Sequence, residues 1–359
     1  MSLQKIKLSS FFSRQPKLSL GVDIGSHAVK ICELESRNSG LYLTTLGSAQ
    51  LPAGAVEDGI LQDPDIVGSV ISNLVKNLKI KGRKAAISIS GYSVIVKKIS
   101  LNSMSDAEME DHIHSEAEQY IPFDIDEVYL DFQNLQTNTE DNERTDVMLV
   151  AAKKEVVDSY LDMMKKAGLT AGIVDVDAFA LENSYEDNFG TEETVALVDI
   201  GASKMNINII QNGASLLARD VAVGSRQLTE QIQNRLGNSF TEAESLKIGA
   251  AEADERTEEM LAYLFESTCS QWIAEIKRAL DFFYTNYADK HISKIVLSGG
   301  GSRIKGFDQL LQKETEIAVE VFNPFNKISL SNKIDPNYVQ YLAPEMAISM
   351  GLASRPEEF

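Results

Sequence analysis

Two stretches of this chain are near copies of each other. Val22-Asp23-Ile24-Gly25 opens a run that continues through Ser26, His27, Ala28, Val29, Lys30 and Ile31, and Val198-Asp199-Ile200-Gly201 opens one that continues through Ala202, Ser203, Lys204, Met205, Asn206 and Ile207, 176 positions later. Each starts as a hydrophobic strand, turns at Asp-x-Gly and resumes apolar alternation (Val29, Ile31; Met205, Ile207, Ile209), the period-two signature of a strand. A hairpin with glycine at its tip lets backbone amides face an anion, and a carboxylate just before the tip can hold a hydrated divalent ion. One Asp-x-Gly is an ordinary hairpin turn. Two copies half a fold apart point to a duplicated core that clamps one polyphosphate from both sides.

A third feature follows the apolar strand Lys294-Ile295-Val296-Leu297. The run Ser298-Gly299-Gly300-Gly301-Ser302 leads into helical spacing at Ile304, Phe307, Leu310 and Leu311. Glycines at a strand-to-helix junction allow close backbone approach to a phosphate or nucleoside; a tight structural turn uses the same residues. A dinucleotide fingerprint would need glycine at 304, which is Ile304. A phosphate loop of the Walker type would place Lys and Ser/Thr after Gly306, where Phe307 and Asp308 stand.

Between the repeats the chain changes character. Residues 63–79 read as a helix with Ile66, Val70, Leu74 and Leu78 on one face. Ser105 and Glu108 form a capping box, and a second is expected at Thr241–Glu244, with Lys247 one turn on. Residues 85–167 read β-β-α-β-β-α, a small α+β unit embedded in a larger fold. Residues 1–17 carry Lys5, Lys7, Arg14 and Lys17 and no acid; they are either a surface contact with anionic lipid or a partner, or a tail. The rest is strongly acidic, giving a net charge of −19 over 359 residues, which disfavours nucleic acid as a partner. Two cysteines, Cys32 and Cys269, cannot build a disulfide framework or a four-thiolate zinc site and fit a reducing compartment. No run of about 18 apolar residues occurs, so no transmembrane insertion is expected. His112 and His114 are too close in register to share a helix face as a metal pair. His27 is either a phosphate contact or an exposed turn residue, His291 is expected to pack, and Trp272 falls on an apolar face with Ile276 and Leu280.

Paired Asp-x-Gly hairpins and a late glycine-rich turn resemble the three nucleotide motifs of the actin-like ATPase superfamily. The embedded unit, the opening Asp23-Ile24-Gly25-Ser26-His27-Ala28-Val29-Lys30 and the stretch Glu116-Ala117-Glu118-Gln119-Tyr120-Ile121-Pro122-Phe123 are similar to its PilM branch, near FtsA. The resemblance implies an α/β, actin-like two-lobed ATPase fold with a duplicated core. A basic tail (1–17) would precede a first lobe of 18–84 and 168–195, interrupted by an inserted subdomain at 85–167. The second lobe would hold 196–224 and 292–340, with a nucleotide-side subdomain at 225–291, and 341–359 would be a closing helix and tail. It assigns Asp23, Gly25, Ser26 and Lys30 to the first phosphate hairpin, Asp199, Gly201, Ser203 and Lys204 to the second, and Gly299, Gly300 and Gly301 to the nucleoside loop. Asp23 and Asp199 would hold Mg2+ through water. Lys247, Glu275 and Arg278 either bracket the adenosine or form surface ion pairs. Residues 174–180 resemble the helix joining the lobes, and 347–353 the closing helix.

Hydrolysis of the implied ATP needs a group that orients water; Asp175 and Asp177 are the candidates, and their short side chains lead us to expect slow or absent turnover. The implied role is a cytoplasmic scaffold of the type IV pilus. It would bind the N-terminal cytoplasmic tail of PilN, meet other pilus inner-membrane and motor components, and reach the inner membrane through that partner. Tyr120, Ile121, Pro122 and Phe123 either shape the tail's groove or form the subdomain core. The alternatives are a small-molecule kinase of the same superfamily, for which no catalytic carboxylate stands out, and an FtsA-like division ATPase, whose amphipathic terminal helix is not matched by Ser354-Arg355-Pro356-Glu357-Glu358-Phe359.

Overall fold

The computed structural model describes residues 18–37, 40–135 and 144–355. The basic segment 1–17 and residues 356–359 lie outside them, as do the readings placed on those segments. In chain order the elements are β1 (Leu18–Ile24), β2 (Ala28–Arg37), β3 (Gly40–Gln50), β4 (Val56–Glu57), β5 (Ile60–Leu61), α1 (Pro64–Asn77), β6 (Lys84–Ile89), β7 (Val94–Asn102), α2 (Asp106–Glu116), β8 (Val128–Asn134), β9 (Arg144–Lys153), α3 (Lys154–Lys166), β10 (Thr170–Val176) and α4 (Asp177–Phe189). The second half holds β11 (Val195–Ile200), β12 (Met205–Gln211), β13 (Ala214–Val221), α5 (Arg226–Leu236), α6 (Phe240–Lys247), α7 (Glu255–Asn286), β14 (Lys294–Ser298), α8 (Phe307–Thr315), β15 (Ala318–Val321), β16 (Ser329–Leu330), α9 (Pro336–Leu342) and α10 (Ala347–Ser354).

The sequence repeat is a repeat of sheets. One sheet runs β10-β6-β1-β2-β3-β16 and the other β15-β14-β11-β12-β13. In each, an antiparallel three-strand meander meets two parallel strands, so β1-β2-β3 answers β11-β12-β13 and β6 answers β14. Both Asp-x-Gly turns close with the same bond: Gly25 N–H donates to the Ala28 carbonyl at 3.1 Å and Gly201 N–H to the Lys204 carbonyl at 2.9 Å.

Each sheet buries one face under its own helices. In the first lobe α1 and α3 cover a core around Val22, Ile31, Ile71, Ile87 and Met163; in the second, α5 to α8 enclose Trp272, Ile276, Phe283 and Phe307. The lobes are joined by α4 and α10, which cross closely. A Cβ on Gly351 would lie 1.7 Å from the Ala180 carbonyl oxygen, and one on Gly21 would lie 2.1 Å from that of Ser349. Only hydrogen at these positions lets α10 sit against both α4 and β1.

Several expectations need correction. The buried face of α1 is Val67, Gly68, Ile71, Leu74 and Val75, with Ile66 exposed: the stripe is turned about one residue because α3 packs there, close enough that Gly68 faces the Met163 backbone. The inserted unit is narrower than 85–167. Strand β6 pairs with β1 and β10, and α3 belongs to the first-lobe core, leaving β7, β8, β9 and α2 as a separate three-stranded unit with its own core of Ile99, Leu101, Met109, Ile113 and Leu149. Its core also takes Ile121, with Tyr120 and Phe123 packed against it. Residues from Phe325 onward return to the first lobe, where β16 pairs with β3, so the second lobe ends before 340. Gly299–Ile304 makes a single tight turn, and α8 starts only after Gly306, at φ +85°. The capping box of α6 is Ser239 with Glu242, not Thr241 with Glu244; that of α2 is Ser105 with Glu108. His291 is exposed while Ile292 packs. Both cysteines are buried thiols.

Candidate functional site

The two hairpin tips meet. Ser203 Oγ donates to Ser26 Oγ at 2.8 Å, Arg226 at the start of α5 donates to the Ser26 carbonyl at 2.9 Å, and the His27 ring lies 5.5 Å from Phe240 across the gap. Beside them, between the lobes, opens a cavity of about 380 Å³.

Three carboxylates line the cavity: Asp23 and Asp177 are buried and Asp199 is half-buried. Lys30 Nζ meets Asp23 Oδ2 at 3.0 Å. Lys204 reaches across from the second hairpin to Asp177 Oδ2 at 2.7 Å and also touches Ser90, while Ser88 Oγ donates to Asp177 Oδ1 at 2.6 Å. Asp199 receives Ser298 Oγ at 2.7 Å. These surroundings separate three like groups. Burial lifts Asp177, but Lys204 and the two serines outweigh it and hold the carboxyl below its usual range. Burial raises Asp23, with Lys30 offsetting part. Asp199 has no lysine bonded to it, and burial pushes it up to about 6.

Phe240, Ile248, Arg303, Tyr341 and Glu345 also line the cavity and add aromatic and mixed character. The Arg303 guanidinium lies 4.1 Å from the Tyr341 ring centre and pairs with Glu345. Lys247 is buried, with its ammonium 2.9 Å from Thr229 Oγ1 and 2.6 Å from Glu244 Oε1; burial lowers its pKa, and Glu244 offsets part of that. Burial likewise lowers His27, which lines the cavity half-buried rather than standing in solvent.

Of the residues singled out in the sequence, Asp23, Gly25, Ser26, Lys30, Asp177, Asp199, Gly201, Ser203, Lys204, Lys247, Gly299 and Gly300 all border this cavity. Four do not. Asp175 faces away, accepting from Arg355 Nε at 2.6 Å and from the Val176 amide. Glu275, on the outer part of α7, pairs with Arg278 of the same helix and with Arg219 of β13. Gly301 is buried against Ile200, whose side chain would lie 2.3 Å from an added Cβ. Gly299, at φ +77° and with a Cβ position 2.5 Å from the Ile200 carbonyl, packs likewise. The glycine run therefore serves to seat the turn directly on the second hairpin. Gly25 and Gly201 act through shape too, since their amides close their own turns. Sequence reasoning missed Ser90, Arg226, Phe240, Arg303, Tyr341 and Glu345, which no local pattern marks. Ser298, adjoining the glycine run, had a signal that went unused.

Among the described residues no helix is long and apolar enough to cross a membrane. The sequence model of a family described as type IV pilus assembly protein PilM matches residues 21–357. The cell division protein FtsA of Streptococcus pneumoniae serotype 2 is 22% identical over 358 residues, covering 87% of this chain and 76% of that protein. Among solved structures, a PilM-PilN type IV pilus biogenesis complex superposes with a TM-score of 0.82 at 28% identity, covering 93% of this chain and 97% of that one. The ethanolamine utilization protein EutJ from Carboxydothermus hydrogenoformans shares the fold at a TM-score of 0.57 and 15% identity, over 95% and 90% of the two chains.

Proposed function

Because the chain belongs to the type IV pilus assembly protein PilM family and carries an actin-like two-lobed ATPase fold, we propose that it is a nucleotide-clamped scaffold of the pilus assembly machinery at the inner membrane. The observation that carries the nucleotide reading is one cavity lined by both hairpins, with a carboxylate from each lobe and aromatic side chains in the same lining. Its charge balance identifies the ligand's chemistry. Three carboxylates stand against Lys30, Lys204 and Arg226, so these cations are already balanced and leave no net positive charge for a bare polyphosphate. A magnesium–nucleotide complex suits that balance, because the metal would supply the missing positive charge when bound.

Asp199, with only a hydroxyl donor, is the carboxylate best suited to a hydrated cation, and Asp23 stands beside it. Among the described residues no group of three or more His, Cys, Asp and Glu side chains gathers to hold a metal by itself, so the proposed contact runs through water. Lys30 and Lys204 balance phosphate charge. Phe240, Arg303 and Tyr341 offer faces to a base, and Lys247 and Glu244 offer a donor and an acceptor to the sugar. Asp177 is bonded to Lys204 and Ser88 and Asp175 points elsewhere, so neither is free to orient water. The nucleotide would then turn over slowly or not at all and act as a structural clamp.

The neighbour described as a PilM-PilN complex supports a pilus partner for this chain: the N-terminal cytoplasmic tail of PilN, and through it the other inner-membrane and motor components. A cytoplasmic position at the membrane, borrowed from that partner, follows. The tail's proposed docking place is the junction of the inserted unit and the first lobe, where Tyr129 on β8 donates to Asp158 on α3 at 3.0 Å. The test is to release and identify nucleotide from the purified chain, then titrate magnesium–ATP and a PilN-tail peptide. Retention of adenine nucleotide and micromolar peptide binding are expected. A chain that binds no adenine nucleotide with magnesium in excess refutes the clamp.

A further inference from the structure

Residues 90–93 join β6 of the first lobe to β7 of the inserted unit, and this loop is tied to three separate parts of the molecule. Ser90 lines the cavity and contacts the Lys204 ammonium. The Gly91 amide donates at 2.7 Å to Oδ2 of Asp220 on β13, whose Oδ1 accepts from Asn206 at 2.8 Å. The Ser93 carbonyl accepts from the Lys153 amide at 3.0 Å, at the end of β9.

The loop has no slack. Gly91 sits at φ +89°, where an added Cβ would lie 2.4 Å from the Asp58 carbonyl, and the facing Gly59 sits at φ +77° with its Cβ position 2.2 Å from the Ser90 carbonyl. The Val94 amide closes the turn on Gly91 at 3.1 Å, and the Tyr160 hydroxyl holds the Gly59 carbonyl at 3.1 Å. A packed, hydrogen-bonded segment of this kind passes a displacement along rather than absorbing it. Lys98 of β7, 5.9 Å from the Tyr287 ring centre at the end of α7, is a second tie between the inserted unit and the second lobe.

Resting on the nucleotide reading above, we infer that residues 90–93 couple occupancy of the cleft to the inserted unit. In this structure Lys204 is shared between Asp177 and Ser90. A polyphosphate in the cavity competes for the ammonium and draws it from Ser90, which loosens the loop's hold on Asp220 and on the first residues of β7. Coupling of this sort is reciprocal: a partner that holds the inserted unit in its present position weakens nucleotide binding by the factor by which nucleotide loosens that position.

The test follows hydrogen exchange at the amides of Gly91, Val94 and Lys153 in the full chain, with and without magnesium–ATP, in wild type and in Asp220→Asn, a residue that does not line the cavity. In wild type the nucleotide should speed exchange at these three amides about fivefold or more, the low end of measured site couplings. In Asp220→Asn exchange should already be fast, with saturating nucleotide adding less than about twofold. Bound nucleotide with the three amides unmoved overturns the link and leaves the clamp standing. So does a variant that responds as wild type does. A wild-type chain that binds no magnesium–ATP overturns both readings, and the binding isotherm separates that result from the others. Should the variant fail to fold, the wild-type arm decides by itself.

Discussion

Replacing Asp199 with asparagine should stabilise the nucleotide-free protein while disabling its site. Desolvation in the cleft pushes the half-buried Asp199 carboxyl up to about 6, against 3.8 for the group in water. Between those values the native state holds a proton that the unfolded chain has released, so stability falls as pH rises through the window. The difference, about two units at roughly 1.4 kcal/mol each, is about 3 kcal/mol, fully expressed above about pH 7 and absent below about pH 3. Asparagine keeps an oxygen for the Ser298 hydroxyl and carries no charge, so the variant escapes most of this penalty. Trp272, the chain's one tryptophan, is buried in the same lobe, so urea unfolding followed by its fluorescence reads the relevant core. At pH 7.5, without nucleotide or metal, Asp199→Asn should be about 1–3 kcal/mol more stable than wild type, and at pH 4.5 the gap should shrink to below about 1. Magnesium-dependent nucleotide affinity should be lost. A variant less stable than wild type at pH 7.5, or a gap that does not narrow on acidification, refutes the argument that this carboxylate is held at a cost for a cation.

Three further outcomes follow from the packing and ion pairs. Gly351→Ala gains roughly 1 kcal/mol of helix propensity but must part α10 from α4 by about 1.5 Å to relieve the contact with the Ala180 carbonyl, so we expect a net loss of about 2 kcal/mol or more in urea melts; a stabilised variant would show that the helices slide freely. Lys204→Ala strands the buried Asp177 and should cost about 3–5 kcal/mol, most of it recovered in the Lys204→Ala, Asp177→Ala double variant; additive single losses in the cycle would mean that the pair does not interact as drawn. Asp175→Asn, which weakens the partly exposed Arg355 pair, should cost about 1 kcal/mol and leave nucleotide affinity by calorimetry within about twofold; a collapse of affinity would bring Asp175 into the cleft chemistry.

What could be read from the chain follows from how far each signal reaches. The Asp-x-Gly turns are local: alternation, a carboxylate and a glycine within ten residues fix a hairpin, and the repeat brings the same hairpin twice. Capping boxes are local too, and Ser105 with Glu108 was legible for that reason. The α1 stripe was not, because Ile66-Val70-Leu74-Leu78 and Val67-Ile71-Leu74-Leu78 are both good helical faces sharing Leu74 and Leu78, and only the position of α3 chooses between them. Sheet membership is equally silent: β6 and β7 are both short apolar strands, yet one enters the first-lobe sheet and the other the inserted unit. At the site, Arg226, Arg303 and Tyr341 converge from three distant segments, and no spacing records that convergence.

The two halves have also diverged in a way that explains their division of labour. On β2, directly opposite Asp23, stands Lys30; on β12, directly opposite Asp199, stands Asn206. The first hairpin therefore neutralises its own carboxylate. Asn206 instead donates to Asp220 on the neighbouring strand. The second hairpin's lysine, Lys204, is placed where the first has Ala28, and from there it crosses to the other lobe's Asp177. One ion pair is thus spent within a lobe and the other between lobes, and Asp199 is left with a hydroxyl alone. A symmetric duplicate with lysine at both positions would cancel the charge on which the proposed cation site depends. It would also lose the cross-lobe contact that ties Ser90 and the inserted unit to the state of the cleft. On the proposed coupling, it is the asymmetry of the repeat, more than its symmetry, that would make the fold responsive to what it holds.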